Sequence, residues 1–131
     1  MTISVLIVED EFLIRSFVAD FLSEYGFAVH EAATGEAALD YLRSGAEIDV
    51  LFTDIGLPGA IDGTKLAERA RQIYPELPVV YASALARPGD IRPRVPDSRF
   101  MPKPYKPAEV CALLASVSSA GPAQPHAPSG R

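Results

Sequence analysis

The chain of 131 residues has room for one domain of ordinary size, since domains cluster at about 100 to 150 residues, and its 48% apolar and 22% charged composition excludes a disordered chain. Seventeen acidic residues against twelve Lys and Arg leave a net charge of −5, which repels phosphate backbones and argues against electrostatically driven nucleic-acid binding. Cys111 is the single cysteine, so no intramolecular disulfide forms, and with only His30 and His126 beside it any metal must sit on oxygen ligands rather than on a zinc-type cluster.

Ile3 to Val8 is a short apolar run rich in β-branched residues that ends in Glu9-Asp10-Glu11, the signature of a strand buried on both faces. No basic stretch precedes it, and no apolar segment reaches membrane-spanning length, so a cytoplasmic location without membrane partners is expected. From Glu11 to Tyr25, Leu13, Phe17 and Phe21 recur beside Ile14, Val18 and Leu22, predicting a helix with one apolar stripe that Gly26 stops. Phe27 to Glu31 suits a second strand. Thr34 as N-cap, with Glu36 in the first turn, opens a helix that buries Ala38, Tyr41 and Leu42.

Asp49 to Thr53 reads as the third strand, with Asp54 where it ends. After the turn-rich Gly56 to Gly63, a helix over Thr64 to Ile73 points Leu66, Ala70 and Ile73 inward, and Pro78 to Ala82 begins a fourth strand that ends at Ser83. Pro88, Pro93 and Pro96 then forbid a long helix between Ala84 and Ser98, leaving a loop with one helical turn at most. Arg99 to Met101 is a short fifth strand, and Pro107 opens a final helix through Val110, Leu113, Leu114 and Val117, with Cys111 as a small buried hydrophobe. Residues 1–118 form the domain; Ser119 to Arg131 holds no large apolar side chain and is expected to be a disordered tail.

Strands alternating with helices imply βαβ units, a parallel sheet and helices on both faces. In such sheets function gathers at the carboxyl ends of the strands, where Glu9, Asp10, Asp54, Ser83 and Lys103 all fall. With strand order 2-1-3-4-5, strands one, three and four are neighbours. Three carboxylates there repel by about 3 kcal/mol per pair at about 5 Å and an effective dielectric near 20. A hard divalent cation relieves this, and Mg2+ fits an oxygen ligand set to which the Gly56 backbone carbonyl could add.

Val8-Glu9-Asp10, Thr53-Asp54, Leu57-Pro58-Gly59, Asp62-Gly63, Ser83-Ala84 and Lys103-Pro104-Tyr105 together resemble the receiver domain of bacterial two-component response regulators, over about Ser4 to Val117. The resemblance implies a flavodoxin-like, doubly wound five-stranded α/β fold, here with the fourth helix shortened or replaced by a loop. It implies that Asp54 is phosphorylated by a sensor histidine kinase or a histidine phosphotransfer protein. Glu9, Asp10 and Asp54 then hold Mg2+, with Asp10 the more direct ligand. Lys103 acts as the family's lysine, Ser83 as the hydroxyl that bonds the phosphoryl group, and Phe100 as the aromatic switch.

Each residue alone has an ordinary reading: Glu9-Asp10-Glu11 as acids of a helix's first turn, Asp54 as a strand-end cap, Ser83 as a satisfied loop hydroxyl, Lys103 as a solvated lysine, Phe100 as core, Asp62-Gly63 as an N-cap and turn without chemistry. Their convergence at one sheet edge favours the site. No output segment follows Val117, so the expectation is a stand-alone regulator, monomeric or weakly dimeric, acting by protein contact or phosphoryl shuttling. The alternatives are an aspartate-nucleophile phosphohydrolase, which would want an acid where Gly56 stands, and a degenerate, unphosphorylated binding module. The resemblance further implies that Gly56 and Leu85 stand where related domains influence the hydrolytic water, and neither offers a polar side chain to orient it, so slow dephosphorylation is expected.

Overall fold

The computed structural model describes residues 2–84, 91 and 94–118. Along them run β1 (Ser4–Val8), α1 (Phe12–Glu24), β2 (Ala28–Ala32), α2 (Gly35–Arg43), β3 (Val50–Asp54), α3 (Gly63–Ile73), β4 (Val79–Ser83), β5 (Arg99–Pro102) and α4 (Pro107–Val117). All five strands pair in parallel in the order β2-β1-β3-β4-β5, as the alternation of elements required.

Period-two alternation divides the strand side chains between two cores. Leu6, Val8, Leu51, Val79 and Tyr81 pack beneath α2 and α3 with Leu39, Leu42, Leu66 and Ala70. Val5, Ile7, Val50, Phe52, Val80 and Ala82 pack on the opposite face against Val18, Phe21 and Leu22 of α1 and Val110, Cys111 and Leu114 of α4. The helix ends follow from their sequences. Thr34 caps α2 by accepting from the Ala37 N–H at 3.0 Å, Pro107 begins α4, and Gly26, at φ +95°, ends α1 in the left-handed conformation that glycine adopts without strain.

The apolar stripe expected along α1 is corrected by the structure. Val18, Phe21 and Leu22 are buried, but Leu13 is 79% exposed, Phe17 52% and neighbouring Phe12 66%. The N-terminal turns of α1 face a groove edged by Ala84, Pro104 and Tyr105 instead of filled core. In α2, Leu39 takes the buried position expected of Tyr41, which is half-buried and stacks on His30 with ring centroids 5.0 Å apart. Ile73 is likewise only half-buried.

Between β4 and β5 the described residues form no helix. Ile91 and Val95 are buried, the Tyr81 hydroxyl accepts from the Val95 N–H at 3.2 Å, and Arg71 donates to the Pro96 carbonyl at 2.9 Å and the Leu77 carbonyl at 2.6 Å. Side-chain anchors thus do the packing that an interrupted helix cannot. The rest of the proline-rich segment, Leu85 with it, and the expected tail over 119–131 lie outside the described residues.

Candidate functional site

Parallel register sets the carboxyl ends of the strands in one row: Val8 pairs with Thr53 and Ala32, Asp54 with Ala82, and Ser83 with Pro102. Glu9 and Asp10 leave β1 beside Asp54, the last residue of β3, and Lys103 follows β5. Sequence separations of 49 and 94 residues therefore collapse into contact.

Glu9, Asp10 and Asp54 each offer a carboxylate oxygen within 4.8 Å of the others. Glu9 is buried, Asp54 half-buried and Asp10 exposed. The Lys103 ammonium bridges two of them, at 2.7 Å from Glu9 Oε1 and 3.2 Å from Asp54 Oδ2. The other oxygens take main-chain donors: Glu11 N–H to Glu9 Oε2 at 3.1 Å and Gly56 N–H to Asp54 Oδ1 at 3.3 Å. Asp10 is the member of the trio most open to solvent.

Electrostatics follow from this crowding. Burial raises the Glu9 pKa above the ordinary carboxylate value; the Lys103 hydrogen bond, the Glu11 N–H and the Lys103 charge pull it down, and the Asp54 charge adds to the rise. For Lys103, burial works against the charged form, but the hydrogen bond to Glu9 and the charge of Asp54 outweigh it and raise its pKa. Tyr105 is pushed far up by burial first and by the charges of Glu9 and Asp54 next. One ammonium facing three carboxylates leaves a deficit of positive charge.

Ser83 ends β4 half-buried at the same edge. Phe100 lies on β5, paired with Tyr81 and packed against the core beneath α2 and α3. The Lys103–Pro104 peptide is cis. Two residues to which sequence reasoning gave no role also shape the site. Arg15 donates to the Glu9 carbonyl at 2.8 Å and pairs with Glu31 at 3.2 Å, tying the acidic turn to the ends of β1 and β2. Tyr105 stacks at a tilt on Phe52, centroids 5.5 Å apart, with the Lys103 ammonium 5.9 Å from its ring. Arg15 sits one turn into α1 on the face toward the acidic triplet, a spacing readable in the sequence; Tyr105 stands in the quoted Lys103-Pro104-Tyr105 motif, but its contact with Phe52 depends on the fold.

The family described as Response regulator receiver domain matches residues 5–115. By sequence the chain is 33% identical over 105 residues to Sensor kinase CckA of Brucella abortus (strain 2308), covering 78% of this chain and 11% of that protein. It is 33% identical over 116 residues to Response regulator GtcR of Aneurinibacillus migulanus, covering 87% and 47%, so it spans less than half the length of either curated relative. Among solved structures, a response regulator receiver protein from Sinorhizobium medicae WSM419 superposes with a TM-score of 0.84 at 32% identity, covering 91% of this chain and 96% of that one.

Proposed function

The chain belongs to the response regulator receiver-domain family and so to two-component signal transduction, and from that premise we propose that Asp54 is its phosphoryl acceptor. The observation that carries the reading is the Lys103 ammonium lying between Glu9 and Asp54 while Asp10 completes a carboxylate trio within 4.8 Å. An Asp54 Oδ attacks phosphorus, an O–P bond forms, and the P–N bond of a phosphohistidine or the P–O bond of an acyl phosphate breaks, its electron pair leaving with the imidazole or carboxylate. Lys103 stabilises the charge on the transferring oxygens. The Ser83 hydroxyl then bonds the phosphoryl group, and Phe100 turns toward the space this vacates. The altered surface is the output, through protein contact or onward phosphoryl transfer.

Three hard oxygen donors facing a single ammonium fit Mg2+. Glu9, Asp10, Asp54 and the Gly56 backbone carbonyl would hold it, Asp10 most directly because neither Lys103 nor Gly56 engages it. When bound, the ion supplies the positive charge that the site lacks and that developing phosphoryl oxygens require.

The donor is a protein bearing phosphohistidine, a sensor histidine kinase or a histidine phosphotransfer protein. Ile14 and Phe17 line a groove with Lys103, Pro104 and Tyr105, and Phe12 and Leu13 are exposed on the same N-terminal turns of α1, an apolar surface a protein donor can cover and a small phosphate cannot. No helix among the described residues is long and apolar enough to cross a membrane. The family works in signalling rather than by turning over an external substrate, and glycine at position 56 gives a phosphohydrolase no second acid.

The test is the intact mass after incubation with a small acyl phosphate and Mg2+. One phosphoryl adduct on the wild type and none on Asp54→Asn is the expected result. Multiple turnover of a phosphomonoester would instead favour the hydrolase, and no adduct on the wild type would favour a degenerate module.

A further inference from the structure

Asp62 and Gly63 read from sequence as a cap and a turn, and in part they are. Asp62 Oδ1 accepts from the Lys65 N–H and the Thr64 hydroxyl, both at 2.9 Å, which satisfies the start of α3. Gly63 is held differently. Its N–H donates to the Ile55 carbonyl at 2.9 Å, folding the helix start back onto the end of β3. A β-carbon at this position would lie 2.1 Å from the Asp54 carbonyl oxygen, 2.7 Å from Ile55 Cα and 2.9 Å from the Asp54 carbonyl carbon. Gly63 is not among the glycines with positive φ, so the requirement is for space and not for backbone freedom. From the other side, the buried Thr53 hydroxyl donates to the same Asp54 carbonyl oxygen at 2.9 Å.

We propose that Gly63 is a positioning residue for phosphoryl transfer: its bare Cα lets α3 close on the Asp54 carbonyl and so fixes the acceptor carboxylate between Lys103 and the Gly56 N–H. The proposal rests on reading Asp54 as the acceptor. All three atoms in the way are backbone, so no flexible side chain can yield. Bringing a 2.1 Å approach out to the 3.0 Å floor of real β-carbon contacts displaces backbone by about 1 Å, and a misplacement of that size at reacting atoms slows a reaction by about 100-fold.

Gly35 supplies an internal control. A β-carbon there would lie 2.5 Å from the Ile61 carbonyl oxygen, also backbone, but at the far end of the loop from the acceptor. The other two atoms in the way at Gly35 are Ile61 Cγ2 at 2.6 Å and Cβ at 2.9 Å, so Gly35→Ala crowds a backbone oxygen and a side chain away from Asp54, whereas Gly63→Ala crowds the Asp54 and Ile55 backbone itself. The experiment compares both with the wild type in the full chain. Circular dichroism verifies folding, calorimetry gives the Mg2+ affinity without donor, and intact mass follows adduct formation against acyl phosphate concentration.

Folded Gly63→Ala is expected to lose about 100-fold in the maximal rate, with the half-saturating donor concentration unchanged and Mg2+ bound more weakly, while Gly35→Ala stays within about three-fold. A wild-type rate in Gly63→Ala, or equal slowing in Gly35→Ala, overturns the positioning role. If Gly63→Ala does not fold, Thr53→Val decides: it adds no volume but frees the same carbonyl, and a rate below wild type supports the proposal where an unchanged rate overturns it. Absence of an adduct on the wild type overturns the acceptor reading and this proposal with it, whereas a normal wild-type adduct with an undiminished Gly63→Ala rate overturns this proposal alone.

Discussion

Lys103→Met keeps most of the volume of the lysine stem and removes the ammonium that touches two carboxylates. Contacts of 2.7 and 3.2 Å correspond to about 6 and 5 kcal/mol of gross attraction at an effective dielectric near 20. Desolvation offsets much of this, and removing one partner of a buried pair costs about 3 to 5 kcal/mol. Main-chain donors limit the loss: the Glu11 N–H stays on Glu9 and the Gly56 N–H on Asp54, so neither carboxylate is left without a partner. The expected destabilisation is therefore at the low end, about 3 kcal/mol near neutral pH, read by urea unfolding without Mg2+. The same change acts in the opposite direction on the cation, because the ammonium occupies oxygens the ion would use and repels it. Calorimetry should show Mg2+ bound about ten-fold more tightly, equivalent to about 1.4 kcal/mol after screening. Adduct formation should nevertheless fall by about 100-fold or more, since the transferring oxygens lose a preorganised donor. A variant as stable as the wild type, or one that binds Mg2+ more weakly, would refute this reasoning.

Tyr74 is fully buried and donates to the Leu42 carbonyl at 3.0 Å and to the Ala46 carbonyl, so Tyr74→Phe should lose about 1 to 3 kcal/mol at pH 7. Burial, then the Tyr41 charge, raises its pKa above 10.0; the stabilisation is complete below that pH and lost as pH climbs beyond it, and the variant should show a shallower alkaline limb in pH-dependent unfolding. With no polar side chain at Gly56 or Leu85 to orient water, the phosphoryl group should outlast seconds in Mg2+ by a wide margin, and phosphate release on that timescale contradicts the prediction. Leu13→Ser with Phe17→Ser should slow transfer from a phosphohistidine protein while leaving acyl phosphate reactivity unchanged; equal slowing with both donors would remove the docking role from this patch.

Residue types and their order were enough to read the sheet, because β-branched runs ending in acids, a hydroxyl and a lysine leave few topologies. Strand limits were less legible: β3 runs Val50–Asp54 where Asp49 to Thr53 was expected, and β2 runs Ala28–Ala32 where Phe27 to Glu31 was expected, each one residue further along, while β4 ends at Ser83 as read. Helical periodicity marks which residues of α1 share a face but not what that face meets, so Leu13 and Phe17 read as core although Leu13 is exposed and Phe17 lines an open groove. The carboxylate trio was visible from strand ends alone. The division of labour within it was not, since Lys103 engaging Glu9 as well as Asp54 depends on a contact 94 residues apart in the chain. Gly63 was the hardest to see, because an absent side chain leaves no chemical signature and only the approach of α3 to the Asp54 carbonyl reveals what its absence permits.

The most direct measurement of the acceptor assignment is chemical trapping. Wild-type protein incubated with acyl phosphate and Mg2+ is reduced with borohydride, which converts an acyl-phosphorylated aspartate to homoserine, and the peptides are mapped by mass. Homoserine at position 54 and at no other acidic position is the predicted result. Homoserine at Asp10 or Asp62, or a phosphoryl group that resists reduction because it sits on a hydroxyl, would contradict the account.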